Sequence, residues 1–263
     1  MRTSSLVCIY ILVILVNIAW SITGGGANLR TVVSTLKSIK ERYSINITLF
    51  LTKWGLEVSR IFGVLDILKN IASGGYYREF LVEDQGMYYI GRLNMKRYSL
   101  VVIAPATANT IAKIVVGIAD NIASALYSQA IKSSIPVVVL PTDVPGEDGY
   151  METETPCYID KSICRLKLCR ECIVSKICPA NAVKVVENDI VRIDLSKCIG
   201  CERCMYICSR GAVSCWRKIK LVPREVDIQN IEKLKSFPYT YVVRNVKELE
   251  VILERLLFLD QST

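Results

Sequence analysis

The chain has 263 residues, 51% of them hydrophobic, and a formal charge of +8, which suits one large domain or two modest ones with a packed core. Its Lys and Arg residues are scattered rather than gathered into runs, so no nucleic-acid partner is expected. The mildly basic balance reads as an ordinary solvated surface, with a docking face for an anionic substrate or an acidic redox partner as the sharper alternative. Histidine is absent, which excludes Ser-His and Cys-His nucleophile pairs and His-ligated zinc.

Arg2 and the apolar run Leu6–Trp20 look like a signal peptide or a short membrane helix. The run is shorter than the roughly 18 residues of a spanning segment and leads into Ser21-Ile22-Thr23-Gly24-Gly25-Gly26 with no small-residue cleavage pattern. Residues 1–16 therefore read as an N-terminal apolar extension or anchor, and Asn17–Ser21 as a buried first strand. Next come a helix over 28–43, a strand over 45–51 and a helix over 53–71. A looser Gly- and Tyr-rich segment covers 73–97, followed by a strand over 99–104. The turn Pro105–Thr110 opens helical sequence to Lys132, and a strand over 135–140 closes the series. This alternation predicts an α/β fold, a Rossmann-like parallel sheet with right-handed crossovers. Pro141–Pro156, rich in Pro, Gly and acidic residues, reads as a linker.

Eight of the eleven cysteines then fall between Cys164 and Cys208. Such clustering in a long, Ile- and Val-rich chain favours an intracellular metal site over a disulfide scaffold, and a cytoplasmic location is expected. The run Cys198-x2-Cys201-x2-Cys204-x3-Cys208 has the bacterial ferredoxin spacing, in which the fourth thiolate serves a second [4Fe–4S] cluster. The earlier run, Cys164-x4-Cys169-x2-Cys172-x5-Cys178, is a stretched version of it. The crossover rule gives one cluster Cys164, Cys169, Cys172 and Cys208, and the other Cys178, Cys198, Cys201 and Cys204. The widened first loop leaves room for Cys157 to replace Cys164. Zinc is the competing metal, but it leaves Cys164, Cys178, Cys204 and Cys208 unexplained. Cys8, Cys157 and Cys215 read as buried thiols. Cys178–Val183 repeats in Cys208–Val213, and the strands 183–186 and 190–193 form a hairpin between the halves. The tail then offers a helix over 227–237, a strand over 240–243 and an Asn245-x-x-Glu248 cap for a last helix to Leu257. It is too short to stand alone and is expected to rejoin the sheet. The expected division is 1–16, a flavoprotein domain over 17–156, an inserted ferredoxin-like α+β domain over 157–215, and a return over 216–263.

Thr23, Gly24 and Gly25 follow a strand and precede a helix, where backbone N–H groups favour a phosphate. Pro105-Ala106-Thr107-Ala108-Asn109-Thr110, with Ala112-Lys113 and Gly117-Ile118-Ala119-Asp120-Asn121, resembles the signature of the flavin-containing cysteine decarboxylase family. That resemblance implies FMN, contacted by Thr23, Gly24, Gly25, Thr52, Ala106, Thr107, Asn109 and Thr110. The decarboxylases' catalytic histidine and their P-x-M-N-x-x-M-W clamp are missing, which argues against decarboxylation. Ile18–Gly24 and Leu221–Asp227 are similar to the archaeal iron–sulfur flavoprotein branch that includes dihydromethanopterin reductase (acceptor). The resemblance implies an oxidoreductase with FMN and two [4Fe–4S] clusters. It takes electrons from ferredoxin or another low-potential donor, reduces a pterin-like small molecule, and assembles as a homo-oligomer built from trimers. Tyr76, Tyr77 and Arg78 are candidates for substrate contact, with ordinary interface residues as the alternative, and no catalytic side chain is assigned. Other readings are an electron carrier without a small-molecule substrate and a flavin decarboxylase or prenyltransferase with structural clusters.

Overall fold

A computed structural model of the chain describes residues 16–164, 169, 171–186 and 190–259. The expected extension 1–16, except Val16, lies outside these residues, as do Cys8 and the hairpin turn 187–189. Among the described residues no helix is long and apolar enough to cross a membrane.

Strand β1 (Val16–Ile22) leads to helix α1 (Leu29–Arg42), then β2 (Ile45–Leu51). The 53–71 segment, expected as one helix, is two: α2 (Lys53–Ile61) and α3 (Leu65–Ile71). They part at Gly63, whose φ of +69° only glycine adopts readily. The looser segment holds a further strand, β3 (Phe80–Val82), and two short helices, α4 (Glu83–Gly86) and α5 (Gly91–Asn94). Strand β4 (Leu100–Ala106) enters α6 (Ala108–Val115). Gly117 (φ +80°) ends that helix. A capping box on Asn121 then starts α7 (Ile122–Lys132), which leads to β5 (Val137–Pro141).

The expected linker carries β6 (Met151–Glu154). The inserted segment follows with β7 (Tyr158–Ile159), α8 (Ile173–Ile177), β8 (Val183–Val186), β9 (Ile190–Ile193), α9 (Arg203–Ile207) and β10 (Val213–Ser214). Strand β11 (Lys218–Leu221) pairs antiparallel with β6, so what reads as a loose linker is half of a two-stranded stalk. The tail supplies α10 (Glu225–Lys235), β12 (Thr240–Val242) and α11 (Val246–Leu259).

The main sheet runs β12-β5-β4-β1-β2-β3, all parallel. Its central strands are buried throughout (β4 along its whole length), as continuous apolar runs between two helical layers require. Leu36, Leu249 and Leu253 fill one face from α1 and α11; Ile111, Leu126 and Leu234 fill the other from α6, α7 and α10. The tail thus contributes a sixth strand and a helix to each face, and the cysteine segment is inserted into the sheet domain's own chain path.

Candidate flavin and iron–sulfur sites

In this strand order the chain runs outward from β1 to β2 and β3 on one side, then crosses back to β4 on the other side of β1. The crevice beyond the carboxyl ends of β1 and β4 is therefore a topological switch point, where open α/β sheets bind ligands. A cleft of about 460 Å³ opens there, lined by Thr23, Gly24, Thr52, Trp54, Thr107, Asn109 and Thr110 together with Lys53, Glu83, Lys113, Asp120 and Asn121. Thr52 and Thr107 are N-caps. The Thr52 hydroxyl accepts from Gly55 N at 2.9 Å, and the Thr107 hydroxyl from Thr110 N at 3.4 Å. The first turns of α2 and α6 thus both begin at the cleft, the usual kind of cradle for a phosphate, with Lys53 N in α2 already taken by Glu83.

Thr23 has a different task. Its buried hydroxyl donates to Pro105 O at 2.8 Å and accepts from Thr107 N at 2.9 Å, fastening two loops of the cleft together. Gly24 and Gly25 are required by close packing. A Cβ on Gly24 would lie 2.7 Å from Trp54 Cβ, and one on Gly25 would lie 2.5 Å from Thr142 Cγ2. Ala106 is fully buried behind the cleft, where its carbonyl accepts from Thr142 N at 2.9 Å, and Asn109 is exposed at the rim. Small residues, two threonine caps and the amide of Asn109 fit a flat ring with a phosphate tail.

Glu83, like Lys53 and Trp54, is a lining residue that sequence patterns give no reason to single out. It sits 30 residues from its partner, and its carboxylate accepts from Lys53 N at 2.8 Å and Ile122 N at 3.3 Å, joining the starts of α2 and α7. Tyr76, Tyr77 and Arg78 are not among the lining residues. Tyr76 and Tyr77, with Tyr89, surround the Arg92 guanidinium at 4.4–5.2 Å, and Glu79 pairs with it at 2.9 Å.

In the inserted segment the eight cysteines divide between two pockets. Cys164, Cys169, Cys172 and Cys208 line one. Cys178, Cys198, Cys201 and Cys204 line the other, beside Cys157. Burial and crowding push Cys164, Cys198 and Cys204 up. Cys164 is raised by burial and then by Cys172, Cys208 and Cys169, and Cys204 is pushed up to about 11 by burial and its neighbours Cys198 and Cys201. Four crowded sulfurs become stable thiolates when a polycationic centre balances their charge, which is the donor set an iron–sulfur cluster takes. Ala182 N donates to the Cys178 sulfur at 3.3 Å.

The two halves are built alike. Asp160 N donates to Ala212 O at 2.8 Å, and Asp194 N to Ala182 O at 2.7 Å. Each aspartate then caps a turn through a serine two residues on, and its carbonyl accepts from the following cysteine, Cys164 N at 2.8 Å or Cys198 N at 3.0 Å. The repeat is therefore Asp160-x-Ser162-x-Cys164 and Asp194-x-Ser196-x-Cys198. It makes Cys164 the counterpart of Cys198, and Cys157 lies on the opposite set's wall. Cys157 and Cys215, expected as separate thiols, are joined in a disulfide. The stalk brings their backbones side by side.

The insertion is docked on the sheet domain where α2 and α3 part. Arg60 donates to the carbonyls of Cys198 and, at 3.1 Å, Leu195. Gly63 and Gly200 meet backbone to backbone, so that a Cβ on Gly200 would lie 2.4 Å from Gly63 N. Trp216 stacks on Phe62 with ring centroids 5.0 Å apart, and the edge of Phe62 abuts Gly26 in the loop that leads from β1.

The Flavoprotein family description matches residues 15–145, and a 4Fe–4S binding domain matches residues 190–213. A dihydromethanopterin reductase (acceptor) of Methanosarcina mazei is 34% identical over 223 residues, 83% of this chain and 91% of the relative. The protein of that name from Methanocaldococcus jannaschii is also 34% identical, over 88% of this chain and 93% of the relative. The chain belongs to the dihydromethanopterin reductase (acceptor) family. Burkholderia xenovorans DmrB, solved in complex with FMN and described as a cubic protein cage for redox transfer, aligns with a TM-score of 0.58 and 25% identity over 93% of this chain and 97% of its own.

Membership agrees with the Rossmann-like sheet and makes the chain an iron–sulfur flavoprotein oxidoreductase. The matched 4Fe–4S stretch contains Cys198, Cys201, Cys204 and Cys208. The stretched first run lies outside it.

Proposed function

We propose that the chain carries two [4Fe–4S] clusters and one FMN, and passes electrons from a low-potential donor to a pterin-like acceptor such as dihydromethanopterin. The observation that carries this reading is the division of eight cysteines into two sets of four, with one set beside the docking contact that leads to the flavin cleft. Cys164, Cys169, Cys172 and Cys208 would hold one cluster, and Cys178, Cys198, Cys201 and Cys204 the other. Thr52, Thr107, Asn109 and Thr110 would hold FMN. Bound there, the clusters would supply single electrons, and FMN, having taken up two of them with a proton, would pass the pair on as one hydride to an imine-type bond.

The side chains bind and position. Arg60, Gly63 and Gly200 fix the insertion against α2, and the Trp216–Phe62 stack fills the space between the second cysteine set and the Gly24–Gly26 loop. Thr23 holds the two cofactor loops in register. Proton delivery falls to carboxylic acids, Tyr, Lys or water, because the chain has no histidine. The basic surface suits an acidic ferredoxin-type donor, which electrostatic attraction would steer toward it. The cage-forming relative supports a homo-oligomer.

The test is anaerobic isolation with iron, sulfide and FMN quantified, then reduction and addition of dihydromethanopterin. Flavin reoxidation on addition of the pterin supports the reductase. Flavin that reduces through the clusters but is reoxidised only by a second redox protein would make the chain a carrier. Absence of flavin would sink the reading.

A further inference from the structure

Cys157 and Cys215 have no place in the ligand sets, yet they lie against one of them. The sulfurs of Cys157, Cys204 and Cys215 all fall within 4.8 Å of one another, and Cys204 belongs to the second set. Cys157 is 2% exposed and shares the pocket wall with Cys178, Cys198, Cys201 and Cys204. The pair is also the only disulfide among the described residues, where the other eight cysteines are free. A bond that forms at one position in so thiol-rich a segment reflects its particular surroundings.

The location has a mechanical meaning too. Cys157 directly precedes β7, and Cys215 directly follows β10. The strands pair through Tyr158 with Ser214 and Ile159 with Val213. The disulfide therefore clips together the points where the chain enters and leaves the insertion. Next to it, Trp216 N donates to Thr155 O at 3.0 Å, and its ring packs on Phe62 and beneath Arg30 at 4.6 Å. The clip borders both the cysteine set and the contact that docks the insertion.

We propose that Cys157–Cys215 is a redox-active disulfide, reduced through the iron–sulfur site held by Cys178, Cys198, Cys201 and Cys204. This rests on the cluster reading given above. The sulfur–sulfur bond breaks as it takes up two electrons and two protons, giving two thiols. The electrons come one at a time from the adjacent reduced site, which a low-potential one-electron donor (dithionite or a reduced ferredoxin-type protein) recharges. The protons come from solvent on the side of Cys215, the less buried partner. Cys204 is the point of transfer, since its sulfur would be bonded to iron and also lies against the pair. Opening the clip releases the stalk end beside Trp216, so the docking contact responds to the reduction state of the insertion.

The experiment uses the full-length protein, isolated anaerobically with its clusters and FMN, reduced with dithionite, quenched with an alkylating reagent and mapped by peptide mass spectrometry. The expected result is alkylation of Cys157 and Cys215 only after reduction. A reductive titration should also take two more electrons per chain than the same titration of Cys157→Ser/Cys215→Ser. In Cys201→Ser, which removes a ligand of the adjacent cluster, the pair should stay closed under the same treatment. Should the double variant fail to fold, mapping of the native protein and of Cys201→Ser decides. Clusters that bleach while the pair stays unlabelled would overturn the inference and leave the reductase reading intact. Equal labelling in Cys201→Ser would overturn it as well, since the reductant would then act directly. Failure of any cluster to bleach would bring down both readings.

Discussion

The sheet domain and the cysteine insertion of one chain are held together by different physics. The sheet buries two extensive apolar layers, with Trp20, Phe50, Ile47 and Leu49 almost or completely removed from water. At about 25 cal/mol per Å² of apolar surface, such layers hold a domain by themselves. In the insertion, the buried aliphatic side chains of its own cluster are Val174, Val183 and Val191, and the partly buried residues around them are mostly cysteines. A core that small cannot offset the conformational entropy of ordering the segment. Metal bonds have to supply the difference.

The largest test of this contrast is Cys201→Ser. On the proposed two-cluster reading, the insertion should lose roughly half of its iron, because one cluster would lose a thiolate. Donor-driven flavin reduction should fall by more than about 100-fold, beyond the 10–100-fold typical of an outer-shell partner. FMN affinity and the thermal unfolding of the sheet domain should stay near wild type. If the sheet domain also unfolded, the two regions would not be independently stabilised.

Gly200→Ala separates the regions without replacing a ligand. Gly200 has φ +63°, and its added Cβ would press on the Gly63 backbone and on Ile61 O at 2.5 Å. The strain is about 1–3 kcal/mol, roughly 5–150-fold in the docked population. Iron and FMN content should be retained while cluster-to-flavin transfer slows, as rapid-mixing absorbance would show. Stalk cleavage by a protease should become faster.

The two regions also differed in how much their sequence revealed. Continuous apolar runs located the central strands within a residue or two, because a strand buried on both faces has no polar positions to confuse the pattern. The break at Gly63 was hidden inside an amphipathic pattern, since its cause is a backbone contact with Gly200, 137 positions away. Strand β6 was hidden among acidic and Pro residues, because its partner β11 lies beyond the insertion. In the cysteine segment, spacing alone proposed the two ligand sets. It left Cys157 competing with Cys164 because the Asp-x-Ser-x-Cys repeat, which was visible in the sequence, is informative only once Asp160 and Asp194 are seen to make the same turn. Glu83 and the Cys157–Cys215 pair depend on tertiary proximity and had no local signal.

A milder change within the sheet domain is Thr107→Val. It removes the α6 cap, worth about 1 kcal/mol, and the hydroxyl that would contact FMN. Flavin affinity should fall roughly 5- to 10-fold, equivalent to about one hydrogen bond, in a fluorescence titration. Iron content should not change, so cofactor loss would be confined to one region.

The smallest expected effect probes the symmetry inside the insertion. The Ser196 side chain and backbone hold the Asp194 carboxyl below the usual carboxylate range, and Ser162 does the same for Asp160. A carboxyl depressed in the folded state adds stability at pH values above its unfolded pKa of about 3.9, and that stability is lost as pH falls through the folded value. Asp194→Asn should therefore unfold at a lower urea concentration than wild type at pH 7, and the gap should close as pH drops below about 4. Asp160→Asn should behave in the same way, because the turns before Cys164 and Cys198 are matched bond for bond. Both aspartates are only partly buried, so the shifts should be small. Their equality is the informative quantity: a clear loss at Asp194 with none at Asp160 would mean that the stretched loop after Cys164 has uncoupled the first turn from the metal site it precedes.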